Sequence, residues 1–100
     1  MTEHTERRGL INKLSESDTL LFRKANEIIA EWDPVDAKSC YGGPLPEDEY
    51  EWSSWEVFKL IKEGKDVSKF FNNEYFEING VSDEKVVLFN QVKEKLNQIS

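Results

Sequence analysis

The sequence predicts an all-α fold: a small bundle of about four helices, roughly 18–32, 53–63, 67–79 and 83–98, with a structured loop over 33–52. Three observations predict it. Apolar residues recur at three- and four-residue spacing through most of the chain. Capping residues stand where these periods begin, and glycine or proline stands where they end. One stretch breaks the pattern, Trp32 to Glu51, reading WDPVDAKSCYGGPLPEDEYE. It holds all three prolines, the single cysteine, an adjacent glycine pair and a tight acidic cluster. One hundred residues make one domain, 1–100, with one modest core.

Residues 1–16 are mostly polar and read as a loosely held arm or a short helix. Leu10, Ile11 and Leu14 allow one turn to dock, while Gly9 and Ser15-Glu16-Ser17 break any longer helix. The first main helix can be capped by Ser17 or Asp18. Leu21, Ala25, Ile28, Ile29 and Trp32 form its apolar stripe, and Arg23, Lys24, Glu27 and Glu31 face away. Pro34 ends it, because a proline pushes the preceding residue out of helical geometry. Asp33-Pro34 can also begin a short turn of helix over Val35 to Cys40, with aspartate as cap and proline in the first position. Gly42-Gly43 stops that turn, Pro44-Leu45-Pro46 runs extended, and Glu47-Asp48-Glu49 leads into Tyr50.

The second helix has two competing starts. Ser53 with Glu56 has capping-box form, with Trp52 and Val57 at the staple positions. Asp48 with Glu51 would start it a turn earlier. Ser53 is preferred, giving a stripe of Trp55, Phe58 and Ile61 with Leu60 beside it and a stop at Gly64. Asp66 can cap the third helix, whose period runs through Val67, Phe70, Phe71, Glu74 or Tyr75, and Ile78. Asn72-Asn73 is its weak spot, since short amides compete for the backbone. Gly80 suits a left-handed stop, with Val81 placed to touch Phe76 and to staple onto Val86 once Ser82 caps the fourth helix. That last helix carries Asp83 and Glu84 at its positive end and a stripe of Val86, Phe89, Val92, Leu96 and Ile99. Val86 to Phe89 would suit a strand by propensity, but the charged continuation at helical spacing argues for helix.

The chain has 13 basic and 20 acidic residues, a net charge of −7 and a pI near 4.7. Such a surface repels nucleic acid, and no run of lysine or arginine offsets it. No apolar run approaches the roughly 20 residues needed to span a membrane, and the N-terminus lacks a signal-peptide core. A lone Cys40 forms no internal disulfide and no thiolate cluster, which suits a reducing cytoplasm. The expectation is a cytoplasmic protein that binds neither nucleic acid nor membrane. Its partner, if it has one, is a basic protein.

Candidate chemistry is sparse. Glu47, Asp48, Glu49 and Glu51 lack the alternating pattern of a calcium loop, and adjacent positions do not converge as an acid–base pair must. Their plain role is negative charge ahead of a helix, and their functional role a partner-facing patch. Cys40 lacks a base, since the only histidine is His4 in the arm. Tyr41-Gly42-Gly43 lacks the lysine and hydroxyl of a phosphate loop. Trp32, Trp52 and Trp55 read first as core, Trp32 most firmly, with one of the other two free to be exposed. Asp33 reads as the cap of the turn that begins at Pro34, ahead of a charge at a pocket mouth. The sequence therefore names no catalytic residue, cofactor or metal site. Its candidate partner-binding residues are Asp33, Glu47, Asp48, Glu49, Tyr50 and Glu51. The alternative is a small enzyme or divalent-metal-dependent protein using Asp33, Asp48 and Glu49.

A helix ending in Trp32-Asp33-Pro34, a loop, and then Pro46-Glu47-Asp48-Glu49-Tyr50 before an amphipathic helix resembles a family of small bacterial proteins of unknown function, best represented in Bacillus and its relatives. The resemblance covers about Ile28 to Ile61. The chain departs from the pattern in its longer loop at Cys40-Tyr41-Gly42-Gly43, and in Trp52-Ser53-Ser54 where Asp or Pro is expected. The family carries no established activity, so no catalytic role transfers. What the resemblance implies, by analogy, is a non-enzymatic interaction protein of the immunity or antitoxin kind.

Overall fold

The helical periods read from the sequence fold as α1 (Glu3–Asn12), α2 (Glu16–Trp32), α3 (Lys38–Tyr41), α4 (Glu51–Lys62), a 3₁₀ turn (Val67–Lys69), α5 (Asn73–Ile78) and α6 (Asp83–Gln98). The computed structural model describes residues 3–42, 46 and 49–99, and among these there is no strand. The fold is the small all-α bundle expected, with Val86–Phe89 inside α6. No helix among the described residues is long and apolar enough to cross a membrane.

Side-chain oxygens set the helix starts. Ser15 accepts from the Asp18 amide at 3.2 Å, so α2 begins at Glu16 and neither Ser17 nor Asp18 is its cap. Ser82 accepts from the Lys85 amide at 3.3 Å, as expected for α6. The expected third helix, 67–79, is two pieces. Asp66 accepts from the Ser68 amide at 2.8 Å but opens only the 3₁₀ turn. Asn72 then takes both sides of the break: its amide donates to the Lys69 carbonyl at 3.1 Å, and its oxygen accepts from the Tyr75 amide at 2.9 Å. The competition expected at Asn72-Asn73 thus ends one helix and caps the next. The break lets Phe71 bury fully while Phe70 half-buries beside it.

Two further boundaries differ from expectation. Helix α1 runs through Gly9, because its cost of about 1 kcal/mol does not stop a helix that is docked elsewhere. Helix α4 begins at Glu51 rather than Ser53, and Ser53 and Ser54 lie buried inside it. Ser54 faces α2, where its hydroxyl donates to Asn26 Oδ1 at 2.7 Å. A small residue at that point lets the two helices approach closely.

Schellman closures end α4 and α5. Gly64 donates to Ile61 and Lys65 to Leu60, at 3.1 and 2.9 Å. Gly80 donates to Glu77 and Val81 to Phe76, at 3.3 and 2.9 Å. Both glycines sit at positive φ, 72° and 62°, where a side chain would be strained. Val81 packs on the core cluster that includes Phe76, as its position predicted.

Helix α2 is the central element and packs on both α4 and α6. Its buried stripe is Phe22, Ala25, Ile29 and Trp32. The expected Leu21 is only half-buried, and Phe22 takes its place. The Trp32 ring meets Phe71 edge-on at 5.0 Å, Phe89 at 5.5 Å and Phe76 edge-on at 6.4 Å. Aromatic packing of this kind adds about 0.5–1.5 kcal/mol per pair beyond area. On the other side, Phe22 meets Phe58 at 6.1 Å and Trp55 at 6.2 Å. Trp52 is half-exposed and touches Phe70 edge-on at 5.3 Å.

Candidate functional site

The Trp32–Glu51 stretch starts with three buried residues, Trp32, Asp33 and Pro34. Asp33 is the last residue tied to α2, donating its amide to Ile29 at 2.8 Å. It adopts φ 51° and ψ 62°, the left-handed region, which aspartate tolerates better than most residues. That turn reverses the chain and aims the carboxylate back at the following residues. Oδ1 accepts from the Ala37 amide at 2.9 Å and Oδ2 from the Lys38 amide at 3.1 Å. Asp33 is thus the C-cap of α2, and its carboxylate accepts the two amides that lead into α3 (Lys38–Tyr41), whose own N-cap is Ala37; it does not cap a helix that begins at Pro34 and runs over Val35 to Cys40. It is only 2% exposed, which removes it from any pocket mouth.

The same Oδ1 receives a short hydrogen bond from the Tyr50 hydroxyl. That hydroxyl also accepts from the Val35 amide at 3.3 Å. Tyr50 is buried and directly precedes α4. The two motifs at the ends of the loop, Trp32-Asp33-Pro34 and the tyrosine of Asp48-Glu49-Tyr50, are thus joined side chain to side chain. This contact explains why α4 starts at Glu51: the anchored tyrosine fixes the entry of the helix.

The electrostatics follow from the geometry. Burial disfavours charge on Asp33, but the Tyr50 hydroxyl, the Lys38 and Ala37 amides and the nearby Lys85 ammonium outweigh it and hold the carboxyl below its usual range. Burial, then the hydrogen bond to Asp33, pushes the Tyr50 phenol far above its usual range. The node is an ionised carboxylate with a neutral phenol.

Glu51 is also turned inward. Arg8 Nε lies 2.9 Å from one carboxylate oxygen and Arg7 Nε lies 3.5 Å from the other. This clamp holds α1 against the first turn of α4. Glu49 is exposed, and its amide donates to Pro46 at 3.2 Å. Glu47 and Asp48 lie outside the described residues, as do Gly43, Pro44 and Leu45. Of the six candidate residues, the structure brings Asp33 and Tyr50 together, gives Glu51 to the arginines and leaves Glu49 outward.

An open groove of 520 Å³ runs between α1, α2 and the start of α4, lined by Arg8, Asn12, Phe22, Arg23, Asn26 and Glu51 among others. A smaller one of 180 Å³ lies between α2 and α6 beside Trp32 and Lys95. Neither contains Asp33 or Glu49. No group of three His, Cys, Asp or Glu among the described residues is placed to hold a metal ion.

Two participants were not read from the sequence. Lys85 sits in the first turn of α6, where a cation opposes the helix dipole. That misfit signals an outside partner, and the partner is the Trp32 carbonyl at 2.8 Å. The Arg7-Arg8 pair is the other participant, and nothing local in the sequence points it to Glu51.

Fold and site together define a small acidic all-α protein in which a carboxylate–phenol bond joins the end of α2 to the start of α4. No protein-family model, curated protein or solved structure matches the chain.

Proposed function

We propose that this chain is a non-enzymatic protein-interaction module, an acidic inhibitor of the immunity or antitoxin type that binds a basic partner in the bacterial cytoplasm. The observation that carries the reading is where the charge goes. Asp33 and Glu51, the buried carboxylates among the described residues of the Trp32–Glu51 stretch, serve the fold, while most other described carboxylates face outward on a chain of net charge −7. Outward negative charge speeds encounter with a basic partner and sets its salt dependence. The resemblance of Trp32-Asp33-Pro34 and Glu47-Asp48-Glu49-Tyr50 to a family of small bacterial proteins supports the same reading. Cys40, free and exposed, supports a reducing compartment.

The test is calorimetric titration against the purified product of the adjacent gene at low and high salt. The reading expects a complex whose association slows as salt rises. Absence of binding at low salt, or heat on titration with divalent cations alone, would overturn it.

A further inference from the structure

Helix α2 packs its apolar stripe on α4 and α6. Another side of it is polar: Thr19, Arg23 and Glu27 follow at four-residue spacing, and all three line the 520 Å³ groove. From α1 the groove takes Arg8, Ile11 and Asn12, again about one turn apart. Neighbouring helices of a bundle normally close on each other through apolar side chains. Here two helices that follow each other in the chain border a charged gap. Its volume falls within the roughly 300–1,000 Å³ of small-ligand sites.

The charges in the gap are not equivalent. Arg8 is committed to Glu51 at 2.9 Å. Arg23 and Glu27 are exposed, and neither side chain has an ion pair or hydrogen bond among the described residues. They stand one turn apart with the base before the acid, the weaker order for pairing along a helix. A guanidinium fork matches a carboxylate, and a carboxylate matches an ammonium. Residues one turn apart are separated by about 5–6 Å, close to the roughly 7 Å that two extended residues span. Ile11 and the buried Phe22 supply apolar surface in the same groove, and Asn12 and Thr19 supply hydrogen-bonding groups.

We propose that the α1–α2 groove binds a short peptide with free ends. Its carboxylate sits on Arg23, its ammonium on Glu27, and an apolar side chain against Ile11 and Phe22. Glu27 repels a ligand that is only anionic, and Arg23 repels one that is only cationic. A free amino acid carries the same two charges but fills less of the groove. The site goes beyond the interaction reading and does not rest on it.

The full-length, ¹⁵N-labelled chain is titrated with leucylalanine, its N-acetyl form, its C-terminal amide and leucine. The free dipeptide should shift amides from Thr19 to Glu27 and at Asn12, and each blocked form should bind about tenfold more weakly. Arg23→Gln should no longer distinguish the dipeptide from its amide, and Glu27→Gln should no longer distinguish it from its N-acetyl form. Both positions are exposed, so the urea midpoints of the variants should match that of the wild type. No shifts at millimolar dipeptide, shifts centred outside the groove, or equal binding of the blocked forms overturns the site. Leucine that binds as tightly as the dipeptide overturns the peptide as occupant. Each of these failures leaves the interaction reading standing, because that reading is tested against a basic protein and its salt dependence.

Discussion

Trp32 and Lys85 hold each other through two hydrogen bonds. The indole Nε1 of Trp32 donates to the Lys85 carbonyl at 2.8 Å, and the Lys85 ammonium donates to the Trp32 carbonyl at 2.8 Å. The pair bridges 53 residues of sequence and locks the end of α2 to the start of α6. One cation satisfies a carbonyl at the negative end of α2 and lies near the Asp33 carboxylate.

Lys85→Met keeps the aliphatic stem and removes the charge. It should lower stability by about 1–2 kcal/mol, read as the urea midpoint, because the Trp32 carbonyl loses its donor. The native fluorescence of Trp32 should stay as it was, since the indole bond goes to a backbone carbonyl. An unchanged midpoint would mean that the ammonium is dispensable.

Asp33 has two jobs that substitutions separate. Asp33→Asn keeps tolerance of the left-handed region and an acceptor oxygen. Asp33→Ala loses both, and should cost about 2–4 kcal/mol from strain and lost capping. Thermal melts should order the proteins as wild type, then Asn, then Ala. Equal melting of Asn and Ala variants would contradict the side-chain role.

The node also sets a pH window. The Asp33 carboxyl is more acidic in the folded chain than its ordinary value of 3.8. Its contribution is complete above that value and fades as pH falls through the lower folded value. Tyr50 behaves oppositely: its phenol titrates above the ordinary 10.0 when folded. Its contribution is complete below that value and fades as pH rises beyond it. Urea midpoints across pH should therefore show the gap between wild type and Asp33→Asn narrowing in acid. The gap between wild type and Tyr50→Phe should narrow in strong alkali. Gaps that stay constant with pH would contradict the charged carboxylate and neutral phenol.

Glu51→Gln tests the clamp on α1. Arg7 is largely buried, so its loss of a charged partner should cost about 1–2 kcal/mol after allowance for the more exposed Arg8. Hydrogen exchange should speed up in α1 far more than in α6. Uniform acceleration across both helices would point to global loosening instead.

Local signals were legible wherever a short-range rule decides the outcome. Ser82 as a cap, Gly64 and Gly80 as left-handed stops, Val81 beside Phe76, and the stripe of Phe89, Val92 and Leu96 all follow from spacing within a turn or two. The misses are long-range. Ser53 has the form of a cap, yet the anchored Tyr50 decides where α4 begins. Glu51 looks like a first-turn acid on the surface, yet α1 covers it. For the candidate site, a capping role for Asp33 was legible, but it closes α2 in the left-handed region instead of opening a helix at Pro34, and its bond to Tyr50 spans a loop whose path no local rule determines. Asn72 lies between these cases: its competition with the backbone was visible, and only the buried Phe71 shows why the chain accepts the break.

The central claim is that Asp33 and Tyr50 are a coupled tie across the Trp32–Glu51 loop, and a double-mutant cycle measures it. Urea unfolding of wild type, Asp33→Asn, Tyr50→Phe and the double variant yields the coupling energy. The account predicts about 1–3 kcal/mol of coupling, with the double variant much less destabilised than the sum of the singles. Additive losses, with coupling near zero, would contradict it.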